Sequence, residues 1–106
     1  MSSSYKDIKG EIVLFAEIYG KPEKMTELIE WADKLKSAVD ANEPGTLEYS
    51  WARFEDRLFV WERYVDAEAL DKHNQSDTFK AFIAVSGDFL VKPPVITYYK
   101  NLHSKD

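Results

Sequence analysis

Residues 11–19 (Glu-Ile-Val-Leu-Phe-Ala-Glu-Ile-Tyr) alternate with a period of two, which predicts a first strand. Ile12, Leu14, Ala16 and Ile18 share one face; Val13, Phe15, Glu17 and Tyr19 share the other. Both faces are largely apolar, so the strand is expected to be covered on both sides. Gly20-Lys21-Pro22 ends it, and Pro22 suits a helix start. Over 23–41 the period becomes helical: Met25, Leu28, Ile29, Ala32, Leu35 and Val39 form one stripe with Trp31 at its edge. Asn42-Glu43-Pro44-Gly45 stops this helix by lost donor and turn chemistry.

Alternation returns over 46–54, with Leu47, Tyr49 and Trp51 on one face. Glu55-Asp56 makes a tight turn and 57–65 comes back as a third strand, completing a hairpin. There Phe59, Trp61 and Val65 alternate with Leu58, Val60, Glu62 and Tyr64. Asp66 is a natural cap for a helix to about Gln75, and Ser76 or Asp77 for the next, whose apolar positions are Phe79, Phe82 and Ile83. Gly87 breaks it. Pro93 and Pro94 divide the extended remainder into a short strand and a last strand over 95–100, placed at an edge or crossover. Residues 1–9 are expected to be a flexible arm, 10–100 a single domain and 101–106 a tail.

The element order, strand, helix, strand, strand, helix pair, strand, is the split βαβ pattern of an α+β, ferredoxin-like fold. Such a sheet carries its helices on one face only. Strands one and three are apolar on both, and an identical sheet from a second subunit is the simplest cover. The expectation is a homodimer forming an α+β barrel.

Composition sharpens this picture. The length of 106 residues suits one domain. Its 3 Trp, 6 Tyr and 6 Phe exceed what a small monomer's core uses, so a partner surface or an aromatic-lined cavity is expected. Without cysteine there is no disulfide framework, thiol nucleophile or iron–sulfur site. A net charge of −5 with no basic cluster argues against nucleic acid as a partner. The start has no apolar stretch to act as a signal peptide, and no run reaches membrane-span length, so no membrane partner and a cytoplasmic location are expected. His73 and His103 are the two histidines; with no His-x-x-x-His or carboxylate triad, no metal site is expected. Neither a phosphate-binding glycine loop nor a nucleophile elbow is present.

The chemistry-bearing groups concentrate in 60–82, where Trp61, Glu62 and Tyr64 end a strand and His73 follows on a helix. This stretch (Glu62-Arg63-Tyr64, then Ala69, Leu70, His73, Ser76, Phe79 and Lys80), with Lys21-Pro22, Gly45 and Tyr49 before it, resembles the antibiotic biosynthesis monooxygenase family over about residues 10–100. The resemblance implies members that oxygenate polycyclic phenols, anthrones or quinols with no metal or flavin cofactor. It also implies relatives that degrade haem or isomerise small phosphorylated diketones. The haem-degrading branch uses an Asn, a Trp and a His where this chain has Ala16, Tyr64 and Ile83, so an axial iron ligand is missing.

Cofactor-free oxygenation needs a base, a donor for a developing oxyanion and a dry aromatic cavity. His73 is the expected proton handler, or else a packed helix histidine bonded to a strand group. Glu62, a carboxylate on a covered face, either orients His73 or pairs with Arg53 or Arg63. Tyr49 and Tyr64 either polarise substrate oxygens or fill core. Trp51, with Phe79 and Phe82, is expected to line the aromatic substrate site; stacking and interface packing are both open for Trp51 and Trp61. Strand parity sends Tyr49, Trp51, Glu62 and Tyr64 towards the helices and Trp61 away from them. The expected activity is monooxygenation of a small aromatic phenol, quinol or anthrone with molecular oxygen. The alternatives are an isomerase or cyclase of a small carbonyl compound, and a non-catalytic ligand-binding dimer.

Overall fold

The structure, a computed structural model, describes residues 4–104. Four strands form one antiparallel sheet in the order β2-β3-β1-β4, with β1 at Ile12–Tyr19, β2 at Thr46–Phe54, β3 at Arg57–Tyr64 and β4 at Val95–Lys100. Three helices, α1 (Met25–Asn42), α2 (Ala67–Asn74) and α3 (Asp77–Val85), complete the α+β, ferredoxin-like arrangement. β1 pairs with both β3 and β4, so the proline-flanked last strand sits at an edge as Pro93 and Pro94 require.

The core follows from the periodicities. On β1, Ile12, Leu14, Ala16 and Ile18 are buried, and on β3 Leu58, Val60, Glu62 and Tyr64. Against them α1 lays its stripe of Met25, Leu28, Ala32, Leu35 and Val39. The helix starts match the caps: Asp66 accepts the Ala69 N–H at 2.9 Å, and Ser76 Oγ accepts that of Phe79 at 3.2 Å. Among the described residues, no helix covers the other face of the sheet. That face presents an aromatic cluster, with Phe15 5.6 Å from both Phe59 and Tyr99, and Phe59 6.0 Å from Trp61. Trp61 thus lies away from the helices, as its parity requires.

Three expectations are corrected. Leu47 does not share the buried face of Tyr49, because the pairing of β2 with β3 slips between Thr46 and Glu48; this bulge leaves Leu47 44% exposed. Ile83 is 51% exposed, since α3 is short and buries its inward face through Phe82. The short strand expected before Pro93 is reduced to one bridge between Gly20 and Leu90.

The expected arm is, from Ser4 onward, folded onto the domain. A capping box at Ser4 opens a 3-10 turn over Tyr5–Asp7. The Tyr5 hydroxyl bonds Asp71, and its ring lies 5.4 Å from that of Tyr98. The expected tail is tied to Glu11, the residue before β1: Asn101 Nδ2 donates to Glu11 Oε2 at 2.7 Å, and Ser104 Oγ accepts the Glu11 N–H at 2.6 Å. The ends of both segments, residues 1–3 and 105–106, lie outside the described residues.

Candidate active site

His73 sits in the last turn of α2, 2% exposed, between the sheet and α3. Three rings surround the imidazole: Tyr49 at 5.2 Å, Tyr64 at 5.7 Å and Phe79 at 4.9 Å between centroids. Its Nδ1 lies 2.9 Å from Oε1 of Glu43, and the two side chains are 3% and 9% exposed. Thr46 Oγ1 donates to the same carboxylate oxygen at 3.0 Å. The α2 helix reaches this position because Gly45 lets the chain approach it. A Cβ on Gly45 would stand 2.8 Å from Cβ of Ala69. The Val65 N–H also donates to the Gly45 carbonyl at 2.9 Å, locking the connection to the end of β3.

Glu43 is therefore the partner of His73, and sequence reasoning missed it. Its place in a helix-ending Glu-Pro-Gly stretch is fully explained by chain reversal. Thirty residues separate it from the histidine. The available signal was an acidic group where two buried elements converge. Burial alone would push the Glu43 carboxyl up. The hydrogen bond from His73, the imidazole charge and the Thr46 hydroxyl outweigh it and hold the carboxyl below its ordinary value.

Glu62 faces the helices as expected and is 7% exposed, but neither alternative foreseen for it holds. Arg63 pairs with Glu11 at 2.9 Å, Arg53 donates to the Glu55 carbonyl at 2.8 Å, and His73 is bonded to Glu43 instead. The Tyr64 hydroxyl donates to Glu62 Oε1. Burial pushes the Glu62 carboxyl up, against the smaller downward pull of the Tyr64 bond and the His73 charge. Burial, followed by the nearby carboxylates, also raises the Tyr49 and Tyr64 hydroxyls, so both keep their protons at neutral pH.

A cavity of about 90 Å³ opens beside the imidazole. Its walls include Tyr49, Trp51, Glu62, His73, Phe79 and Phe82, six of the seven expected site residues. The seventh, Tyr64, is fully buried, spends its hydroxyl on Glu62 and is not part of that wall, which fits the core-filling alternative for it. Asn74, Ile83, Pro94, Ile96 and Tyr98 supply further wall from α2, α3 and the β4 side. Among the described residues, no lysine or arginine lines it. With Nδ1 held by Glu43, Nε2 is the ring nitrogen left for a ligand. The Trp51 indole Nε1 is buried with no partner of hydrogen-bonding geometry; it leans towards the Tyr49 hydroxyl closely enough to temper that group's rise. Among the described residues, no group of three or more His, Cys, Asp or Glu is placed to hold a metal. No helix among them is long and apolar enough to cross a membrane.

Comparison with known proteins adds an independent line. Residues 11–85 match the family model described as antibiotic biosynthesis monooxygenase. An uncharacterized protein of Synechocystis sp. is 35% identical over 101 residues, spanning 90% of this chain and 68% of its own. A crystal structure from Caulobacter crescentus, provisionally named an antibiotic biosynthesis monooxygenase, is 33% identical with a TM-score of 0.85, covering 91% of this chain and 93% of that one. The Mycobacterium tuberculosis protein Rv0793, 22% identical with a TM-score of 0.82 over 91% of this chain and 99% of its own, shares the fold.

Proposed function

Because this chain belongs to the antibiotic biosynthesis monooxygenase family, we propose that it is a monooxygenase using its buried Glu43–His73 pair to deprotonate a small phenol, quinol or anthrone-type substrate, with molecular oxygen as the oxidant. The observation that carries this reading is an imidazole with one nitrogen held by a carboxylate at 2.9 Å and the ring itself in the wall of an apolar cavity. That arrangement fixes the tautomer: Nδ1–H donates to Glu43 and Nε2 accepts a proton, the resulting imidazolium facing a carboxylate.

In the reaction, Nε2 removes the substrate's acidic hydrogen, and the anion is electron-rich enough to pass an electron to oxygen. Recombination forms a carbon–oxygen bond to a peroxide, and the proton on His73 returns to it. Loss of water then leaves a carbonyl. A phenol C–H and O–H thereby become a quinone, one oxygen atom of the dioxygen ending in product and the other in water. His73 and Glu43 supply proton transfer and orientation, while the aromatic walls keep water from the anion. Tyr64 acts by holding Glu62, and Tyr49 by bordering the ring.

The exposed aromatic face of the sheet supports a homodimer, the partner's sheet covering Phe15, Phe59, Trp61 and Tyr99. Light scattering is expected to give twice the chain mass. A second reading, a non-catalytic dimer whose pocket is filled by its own side chains, is favoured by the cavity's size: about 90 Å³ is less than the roughly 150 Å³ that held benzene in an engineered core. Oxygen uptake separates the two readings. With a quinol substrate, uptake is expected to stop anaerobically, to persist with a chelator, and to fall roughly 10²–10⁴-fold in His73→Ala. Turnover without oxygen, or loss of turnover with the chelator, would refute the oxygenase.

A further inference from the structure

One side chain outside the cavity touches its wall on two elements at once. The Tyr5 hydroxyl donates to Asp71 Oδ1 of α2 and accepts from Asn74 Nδ2 at 3.4 Å, and the Tyr5 ring lies 5.4 Å from that of Tyr98 on β4. Asn74, the residue after His73, and Tyr98 both line the cavity. This wall is thinly covered. Ile96 and Tyr98 pair with Ala16 and Leu14 and so lie on the helix side of the sheet, yet they are 48% and 38% exposed. Both also border a second concavity of about 720 Å³, whose wall includes Ser4, Tyr5 and Ile8. The two spaces thus meet at Ile96 and Tyr98, with Tyr5 against that boundary.

We propose that residues 4–8 are a strap over this side of the cavity. Docked through Tyr5, the strap holds α2 against β4 and keeps the space near 90 Å³; released, it opens His73 to solvent and to ligands larger than the closed space. The attachment is light. It consists of one bond to a carboxylate, a long second bond, a ring contact and the packing of Tyr5 and Ile8 at the margin of the core. The Lys6–Asp71 pair, at 4.0 Å with the lysine well exposed, adds little. The strap is also self-contained, closed by its capping box and by the Ile8 N–H donating to the Tyr5 carbonyl at 3.0 Å. Behind it, the Lys9 carbonyl accepts from Lys100 Nζ at 2.6 Å, and Gly10 has a φ of 82°, which glycine adopts without strain. The pivot is therefore at Lys9 and Gly10. Segments with so few buried contacts open locally without global unfolding. The strap acts on access alone, so the inference holds whether the cavity turns over a substrate or not.

The two histidines provide the test, because His103 is exposed and His73 is 2% exposed. The 106-residue chain is treated with diethyl pyrocarbonate at neutral pH, and carbethoxylation of each imidazole is followed by mass spectrometry. In the parent protein His73 is expected to react at least roughly tenfold more slowly than His103. Tyr5→Phe removes the hydroxyl and keeps the ring. It should speed the reaction of His73 roughly three- to thirtyfold, the worth of a bond to a charged group at a part-exposed site, and leave His103 unchanged. Asp71→Ala removes the other half of that bond and should act alike, the double variant adding little. Amide exchange at Leu28 and Leu35 in α1 should not change. Parent His73 reacting as fast as His103, or an unaltered His73 rate in either variant, overturns the proposal. So does faster exchange throughout α1, which would make the opening global. None of these measurements involves oxygen, so failure to find uptake with any quinol would refute the oxygenase reading and leave the strap standing.

Discussion

Glu43→Gln isolates the charge of the buried pair while keeping its shape. The amide oxygen can still accept from both His73 Nδ1 and Thr46 Oγ1, which lie 2.9 and 3.0 Å from the carboxylate oxygen. What is lost is the charge assistance: bonds to an ionised group contribute about 1.5–3 kcal/mol against about 1 for neutral pairs, so the variant should lose about 1–2 kcal/mol near neutral pH. In urea, with a slope of about 1–3 kcal/mol per M, that moves the midpoint down by roughly 0.5–1 M. The pH dependence identifies the cause. Folding depresses the Glu43 carboxyl below its ordinary 4.5. Its contribution is therefore present above 4.5 and lost as pH falls through the lower folded value. Urea unfolding of parent and variant at pH 7, 5, 4 and 3 should show a gap that is full at pH 7 and closes in the most acidic samples. A gap of constant size down to pH 3, or no gap at pH 7, would mean that the charge of Glu43 stabilises nothing and that its contact with His73 is packing.

Glu62→Gln should behave in the opposite sense. Folding raises the Glu62 carboxyl, so the parent loses stability as pH climbs from 4.5 through the folded value; the variant does not, and its melting temperature relative to the parent should improve between pH 4 and 8. An unchanged difference across that range would count against a Glu62 carboxyl raised by burial. Gly45→Ala should cost about 1–3 kcal/mol by forcing α2 from Ala69, and should lower oxygen uptake because the same helix carries His73. Thermal melts and uptake rates check this, and full stability would show that α2 yields freely. Trp61→Glu, on the open sheet face, should give a folded monomer by light scattering; a persisting dimer would place the interface elsewhere.

Much of this molecule was legible in local pattern. A period of two with Ile12, Leu14, Ala16 and Ile18 inward, a helical stripe from Met25 to Val39, and caps at Asp66 and Ser76 each depend on neighbours within a few residues, so periodicity and turn chemistry suffice to place them. Strand parity likewise separated Trp61 from Glu62. The site was only half legible, for a physical reason. His73 and Glu62 declare themselves as polar groups in apolar settings. Which groups they bond depends on how loops close in space. Glu43 meets His73 across a chain reversal that Gly45 permits. The bulge at Leu47 resets the pairing of β2, placing Tyr49 opposite Glu62. Tyr64, two residues from Glu62 on the same face, is fully buried and bonded to that carboxyl without lining the cavity, a matter of depth that no periodicity encodes. The sequence by itself determined the elements and the faces they bury. Only the tertiary structure decided which carboxyl holds the imidazole and which residues wall the space beside it, because those choices are made between residues far apart in the chain.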